Sequence, residues 1–284
     1  MDLTSILQPI VAELAQVETE LAAVTARLGA DQADRVVPLG IMAEIARHPF
    51  KVPGKRMRPA LVLLASHTAG SRAPKGAAVS LAVAVEVLHA ASLVHDDIID
   101  GAEERRHQVS LNKRFGNRIA VLAGDILYTE FFSLVTHLPL SEGERSRILS
   151  LFLDTTRRMC VGEILAQEAQ AAKRPMSFDE YMEITEDKTA SLFSASCEAG
   201  AIAAGTSEES IKRFADFGKS FGLAFQMLDD IADSDHGLDP KIDLRPMAEE
   251  YAGKARAAAA VLGEGSFGAV LEKLVVYLMN HPFS

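Results

Sequence analysis

Two long proline-free stretches constrain this chain more than any other feature. No proline falls between Pro74 and Pro139 or between Pro175 and Pro240, which leaves two runs of 64 residues without the strongest helix breaker. Alanine, leucine and glutamate recur throughout, and strand-like alternation is scarce, so the expected fold class is all-α. The first segment shows the helical period directly. Leu3, Ile6, Leu7, Ile10, Val11, Leu14, Val17, Leu21, Val24 and Leu28 recur at steps of one, three or four and are expected on one stripe, and the helix is expected to end near Gly29. A loop through Pro38 and a second one, His48–Lys55, precede an apolar helix expected to begin at Pro59, proline being a normal first residue. Further helices are predicted over 76–100, 117–137, 142–172, 177–203, 207–233 and 246–262, with a short one near the C-terminus. No repeat, low-complexity tract or long linker interrupts them. A single-domain helical bundle over 1–284 is therefore expected.

Charge narrows the function classes. The net charge of −10 argues against tracking a nucleic-acid backbone or lying on an anionic membrane. Cys160 and Cys197 are too few for a disulfide framework or a cysteine-based zinc site and read as two buried thiols. The N-terminus lacks the basic region of a signal peptide. The most apolar window, Ala77–Val94, is interrupted by Glu86 and His89 and runs into Asp96 and Asp97, as a core helix would rather than an integral membrane segment. A cytoplasmic protein is expected.

The chemistry begins where that window ends, at Asp96-Asp97-Ile98-Ile99-Asp100. Four residues apart on a helix, Asp96 and Asp100 share a face, and such like charges cost energy unless a cation sits between them. Phe225-Gln226-Met227-Leu228-Asp229-Asp230-Ile231-Ala232-Asp233 repeats the pattern at the end of a second apolar helix. Oxygen donors without clustered cysteine or histidine suit a hard ion, Mg²⁺ above all when phosphate completes the shell. Lys55, Arg56 and Arg58 in one loop, and Arg105 and Arg106 after the first motif, offer cations to a polyanion.

These residues resemble the trans-isoprenyl diphosphate synthases, the polyprenyl synthetase family, from about residue 40 to 235. The likeness rests on Gly54-Lys55-Arg56-Met57-Arg58-Pro59, His89, Asp96-Asp97-x-x-Asp100 and Arg105-Arg106. It continues through Gly124-Asp125, Lys188-Thr189, Phe225-Gln226 and Asp229-Asp230-x-x-Asp233. The resemblance implies helices around a central cavity, a homodimer, and condensation of an allylic prenyl diphosphate with isopentenyl diphosphate. It implies Asp96, Asp100, Asp229 and Asp233 as ligands of Mg²⁺, three ions with diphosphate bound, and Asp96, Asp97, Asp100, Asp229 and Asp230 as the catalytic carboxylates. It also implies Arg105 and the catalytic Lys188 on the allylic diphosphate, with Thr189 and Gln226 nearby. Lys55, Arg58, His89 and Arg106 would hold isopentenyl diphosphate, and Arg56 beside them is counted among the substrate-binding residues.

Product length depends on what precedes Asp96. Ala91 and Ser92, then Leu88 and Ala84, would line the path of the growing chain, and farnesyl-producing relatives place an aromatic at the position of Ala91 or Ser92, so a product longer than farnesyl diphosphate is expected. Tyr128, Phe131 and Phe132 read first as core aromatics and second as a tunnel floor. His95 reads as a packing residue, His48 and His67 as incidental, and Glu163 with Gln167 as a polar pair. After Asp233 the family pattern shortens, and Lys241 is the nearest stand-in for a third lysine contact on the diphosphate. Three alternatives stay open: a short-chain synthase, a terpene synthase, and a non-catalytic subunit of a heteromeric synthase. Lys55, Arg58 and Asp233 argue against the terpene synthase.

Overall fold

The computed structural model describes residues 2–30, 40–70, 74–233, 237–239, 241–262 and 266–281. Its helices are α1 (Leu3–Ile6), α2 (Val11–Ala30), α3 (Gly40–Arg47), α4 (Met57–Thr68), α5 (Ala77–Ile99), α6 (Leu111–Phe115) and α7 (Asn117–Thr136). They continue as α8 (Glu142–Ala171), α9 (Phe178–Thr185), α10 (Ser191–Ala203), α11 (Glu208–Asp233), α12 (Arg245–Leu262) and α13 (Ser266–Asn280). The fold is all-α. Apart from one isolated bridge, strand pairing among the described residues is confined to a hairpin of β1 (Glu104–Arg105) and β2 (Gln108–Val109), too short for alternation to reveal it.

Most expected boundaries hold within a residue or two, and the departures have local causes. Pro9 turns Gln8–Ile10 into a 3₁₀ segment, so the first stripe is two helices, α1 and α2, rather than one. The apolar helix begins at Met57, and Pro59 sits third, where its missing N–H is still one of the four that a helix start leaves unbonded. The loop through Pro38 lies outside the described residues, and α3 follows it where no helix was expected. The C-terminal helix is 15 residues long, not short. Between α9 and α10 the path is continuous but passes through a π turn at Glu186–Ala190.

The chain divides into two compact units. One comprises residues 1–11, 60–78 and 140–284, the other residues 12–59 and 79–139. In the first, α10 is buried along its whole length and packs on α11, which packs in turn on α12. Glycines set these spacings: a Cβ at Gly218 would lie 2.5 Å from the Phe193 carbonyl oxygen, and one at Gly200 would overlap the Val62 carbonyl oxygen. In the second unit, α5 is apolar on all sides because it is buried on nearly all sides. Two described helices, α5 and α7, are long and apolar enough to cross a membrane by length and composition, and most of the α5 window is buried inside the protein. Cys197 is buried as expected, whereas Cys160 is exposed on α8.

Candidate active site

The first aspartate motif closes α5. Gly101, at φ +62°, ends the helix: its N–H bonds the Ile98 carbonyl, and the Ala102 N–H reaches back 2.9 Å to the Asp97 carbonyl. The Asp100 N–H still bonds the Asp96 carbonyl at 2.8 Å, so helical geometry carries through and Asp96 and Asp100 share a face. Asp97 points elsewhere. It is 5% exposed, and Arg105 from β1 grips its Oδ1 through Nε at 2.8 Å and Nη2 at 2.6 Å.

The second motif closes α11 and divides in the same way. Asp230 accepts from the Tyr181 hydroxyl at 2.5 Å and from Gln226 Nε2 at 2.9 Å, and Gln226 Oε1 accepts from the Thr189 hydroxyl at 3.0 Å. Thr189, Gln226 and Asp230 are thus one relay, with Tyr181 on its far side. Burial and the Asp230 carboxylate push the Tyr181 phenol upward, so it stays a donor. Asp229 and Asp233, four apart, form the face-sharing pair. Among the described residues no three His, Cys, Asp or Glu side chains converge as a ready metal cage. Paired carboxylates without a cage are the donor set that Mg²⁺ takes when substrate phosphates complete its shell, so the residues fit the ion.

Lys188 lies in the π turn, and its Nζ is 2.5 Å from Glu163 Oε2 on α8. Gln167 donates to the same carboxylate at 3.0 Å, so the expected polar pair is a hydrogen-bonded one. Beyond Asp233, residues 234–236 and 240 lie outside the described ones. Gly237–Asp239 is tied down by Met176, whose N–H bonds the Gly237 carbonyl at 2.9 Å. Lys241 is exposed, with its backbone N–H on Asp239.

The basic residues gather in the other unit. Arg58 Nη1 donates to His89 Nε2 at 3.2 Å. Burial, then Arg58 and Arg106, hold the His89 imidazole well below its usual range, so it is neutral and its Nε2 accepts. Burial lowers Arg58 to about 10, against the pull of Glu86. Arg106 lies across Gly54, where a Cβ would come within 2.5 Å of its guanidinium, and Lys55 is exposed. Arg56 differs. It is 8% exposed, bonds Glu18 at 2.5 Å through Nε, and pairs through Nη1 with Glu86. A cavity of about 40 Å³, room for about three waters, is bounded by Glu86, His89, Asp97, Arg105 and Arg106.

Sequence reasoning missed Glu86, Tyr181 and His48. Glu86 carried a signal, because glutamate is almost never fully buried without a partner. His48 is not incidental: its Nε2 lies 2.8 Å from the Val109 carbonyl and tethers the hairpin that carries Arg105. Ala91 and Leu88 are fully buried on α5, and the Ser92 hydroxyl is spent on the His89 carbonyl. Phe131 is buried edge-on to Phe132, and Tyr128 tilts against His95, which packs over Gly124.

An all-helical protein with two aspartate-ended helices and a partly buried cluster of arginines is the class that the fold and site define. Residues 40–237 match the polyprenyl synthetase family model, and the chain belongs to that family. An octaprenyl diphosphate synthase of Haemophilus influenzae is 38% identical over 181 residues, 63% of this chain and 52% of that protein. The chain thus aligns with about half the length of that curated relative. A decaprenyl diphosphate synthase from Rhodobacter capsulatus shares the fold, with a TM-score of 0.83 over 99% of both chains at 24% identity. A polyprenyl synthase from Caulobacter crescentus, solved with calcium and isoprenyl diphosphate, superposes with a TM-score of 0.79 at 26% identity over 98% of this chain and 97% of that one.

Proposed function

We propose that this chain is a trans-polyprenyl diphosphate synthase, joining an allylic prenyl diphosphate to isopentenyl diphosphate and releasing pyrophosphate. The observation that carries the reading is the division of labour within each aspartate motif. The middle carboxylate is held by a cross-chain donor, Arg105 or Tyr181, and the first and last lie four residues apart on one helix face. Asp96 with Asp100, and Asp229 with Asp233, would each hold Mg²⁺, which supplies charge that stabilises a departing pyrophosphate. The Caulobacter relative's calcium and isoprenyl diphosphate support a divalent ion and a prenyl diphosphate here.

This chain's own residues do the rest. Asp97 holds Arg105, and Glu163 holds Lys188, so both cations are oriented before substrate arrives. Arg58, Arg106 and neutral His89 offer donors to the second diphosphate, with Lys55 at the exposed rim. Apolar α5 residues such as Ala84, Leu88 and Ala91 keep water from an allylic cation. The family match runs through segments of both compact units, which supports one catalytic domain.

Small buried residues before Asp96, and the octaprenyl product named for the Haemophilus relative, support a product longer than farnesyl diphosphate. Incubation of the purified chain with Mg²⁺, isopentenyl diphosphate and an allylic primer is expected to give such products by mass spectrometry. Farnesyl diphosphate as sole product overturns the chain length. Pyrophosphate release from the allylic substrate alone favours a terpene synthase, and no release favours a non-catalytic subunit.

A soluble, cytoplasmic homodimer is also proposed. Burial explains the apolarity of α5 but not of α7, which exposes Val121 and Leu122. Exposed neighbouring apolar residues suit a protein interface. Light scattering should give twice the 30.6 kDa chain mass, and Leu122→Glu should shift it toward one chain. A monomeric wild type refutes the dimer.

A further inference from the structure

Glu86 has no role in the chemistry described so far, yet its surroundings are demanding. It is 4% exposed, in the middle of α5, one helical turn before His89. A buried carboxylate persists only when it is paired. Its direct partner is Arg56 Nη1, and the field of Arg58 and Arg106 also acts on it. Burial raises its pKa while these three guanidinium groups oppose the rise. Glu18 on α2 takes the other edge of Arg56, at 2.5 Å from Nε and 3.1 Å from Nη2.

Backbone geometry adds an independent observation. Arg56 has φ +52° and Arg106 has φ +53°, a left-handed conformation that non-glycine residues rarely hold. Such conformations persist only where their surroundings over-determine them. At Arg56 the holding contact is the pair of carboxylates. Because the Arg56 donors are occupied by Glu18 and Glu86, it is poorly placed to serve as a ligand for substrate. It works as a strut, and the residue two positions on, Arg58, reaches His89.

We propose that Glu86 is a positioning residue of the isopentenyl diphosphate site, setting the Gly54–Arg58 loop through Arg56 so that Arg58, His89 and Arg106 converge on one diphosphate. The inference deepens the synthase reading and rests on it for the identity of the substrate. The sign of one substitution tests it. Were Glu86 merely a nearby negative charge, Glu86→Gln would relieve repulsion and tighten diphosphate binding. As a strut, its loss loosens the arginines and weakens binding.

The experiment has two arms. In the first, Glu86→Gln is expected to raise KM for isopentenyl diphosphate at least tenfold, with KM for the allylic primer within twofold of wild type. In the second, inorganic pyrophosphate is titrated into the metal-free protein by calorimetry, where the basic cluster is its main receptor; a similar weakening is expected. Glu18→Gln, which relaxes Arg56 from the exposed side, should act in the same direction but less, and serves if Glu86→Gln does not fold. Tighter or unchanged pyrophosphate binding, or an equal rise in both KM values, overturns the proposal. A wild type that binds pyrophosphate but does not consume isopentenyl diphosphate overturns the synthase reading instead, and the pyrophosphate arm still decides the role of Glu86.

Discussion

Asp96→Asn and Asp229→Asn are each expected to lower turnover by on the order of 10³-fold and to leave the metal-free fold intact. Both residues belong to the face-sharing pairs, so on the proposed synthase reading the change removes a ligand for the charge that stabilises a leaving diphosphate. Loss of one preorganised electrostatic contact of this kind costs about 10²–10³-fold. Stability should change little. Asp96 and Asp100 repel as like charges at i and i+4 by about 0.2–0.5 kcal/mol, while Arg58 attracts Asp96, so asparagine removes a repulsion and an attraction together. Asp97→Asn is the contrast. It leaves Arg105 without its buried partner, and the cost of breaking such a pair is about 3–5 kcal/mol when both sides are buried, less here because Arg105 is partly exposed. Single-turnover pyrophosphate release and thermal melting of the three variants separate these effects. An Asp96→Asn variant that keeps a tenth of wild-type activity, or melts well below the wild type, would refute the assignment.

That contrast shows where reading a sequence stops. The i, i+4 spacing of Asp96 with Asp100, and of Asp229 with Asp233, is a local property, so it was legible. Which aspartate in each motif is committed to the protein depends on partners from elsewhere in the chain. Arg105 lies beyond a helix end, and Tyr181 is 49 residues from Asp230. The same limit separates Arg56 from Arg58. Two residues apart in one loop, they look equivalent as cations, and a left-handed backbone at Arg56 sends its guanidinium to Glu18 and Glu86. The helices themselves were legible because burial follows period and proline position. The π turn was not, since nothing in Glu186–Ala190 breaks helical propensity; packing against α8 accompanies it.

Gly162→Ala is expected to show how closely that packing is set. A Cβ at residue 162 would lie 2.5 Å from the Lys188 backbone nitrogen, 3.0 Å from its Cα and 3.1 Å from the Asp187 carbonyl carbon. These are main-chain atoms of the π turn, so no flexible side chain can yield. π turns often occur at functional sites, and this one carries Lys188. The next residue, Glu163, supplies the carboxylate that holds the Lys188 ammonium, so displacing α8 disturbs both backbone and ion pair. Overpacking of this kind costs about 1–3 kcal/mol. For a chain of this size each kcal/mol lowers Tm by about 2–4 °C. Turnover with the allylic substrate should fall at least tenfold at temperatures where the variant is folded, while pyrophosphate binding to the metal-free basic cluster stays unchanged. Gly253→Ala provides the control, because no atom lies within 4 Å of the added methyl group on α12. There the same chemical change should stabilise the helix by about 0.5–1 kcal/mol. If Gly162→Ala melts with the wild type and turns over normally, the π turn is not the rigid seat of Lys188.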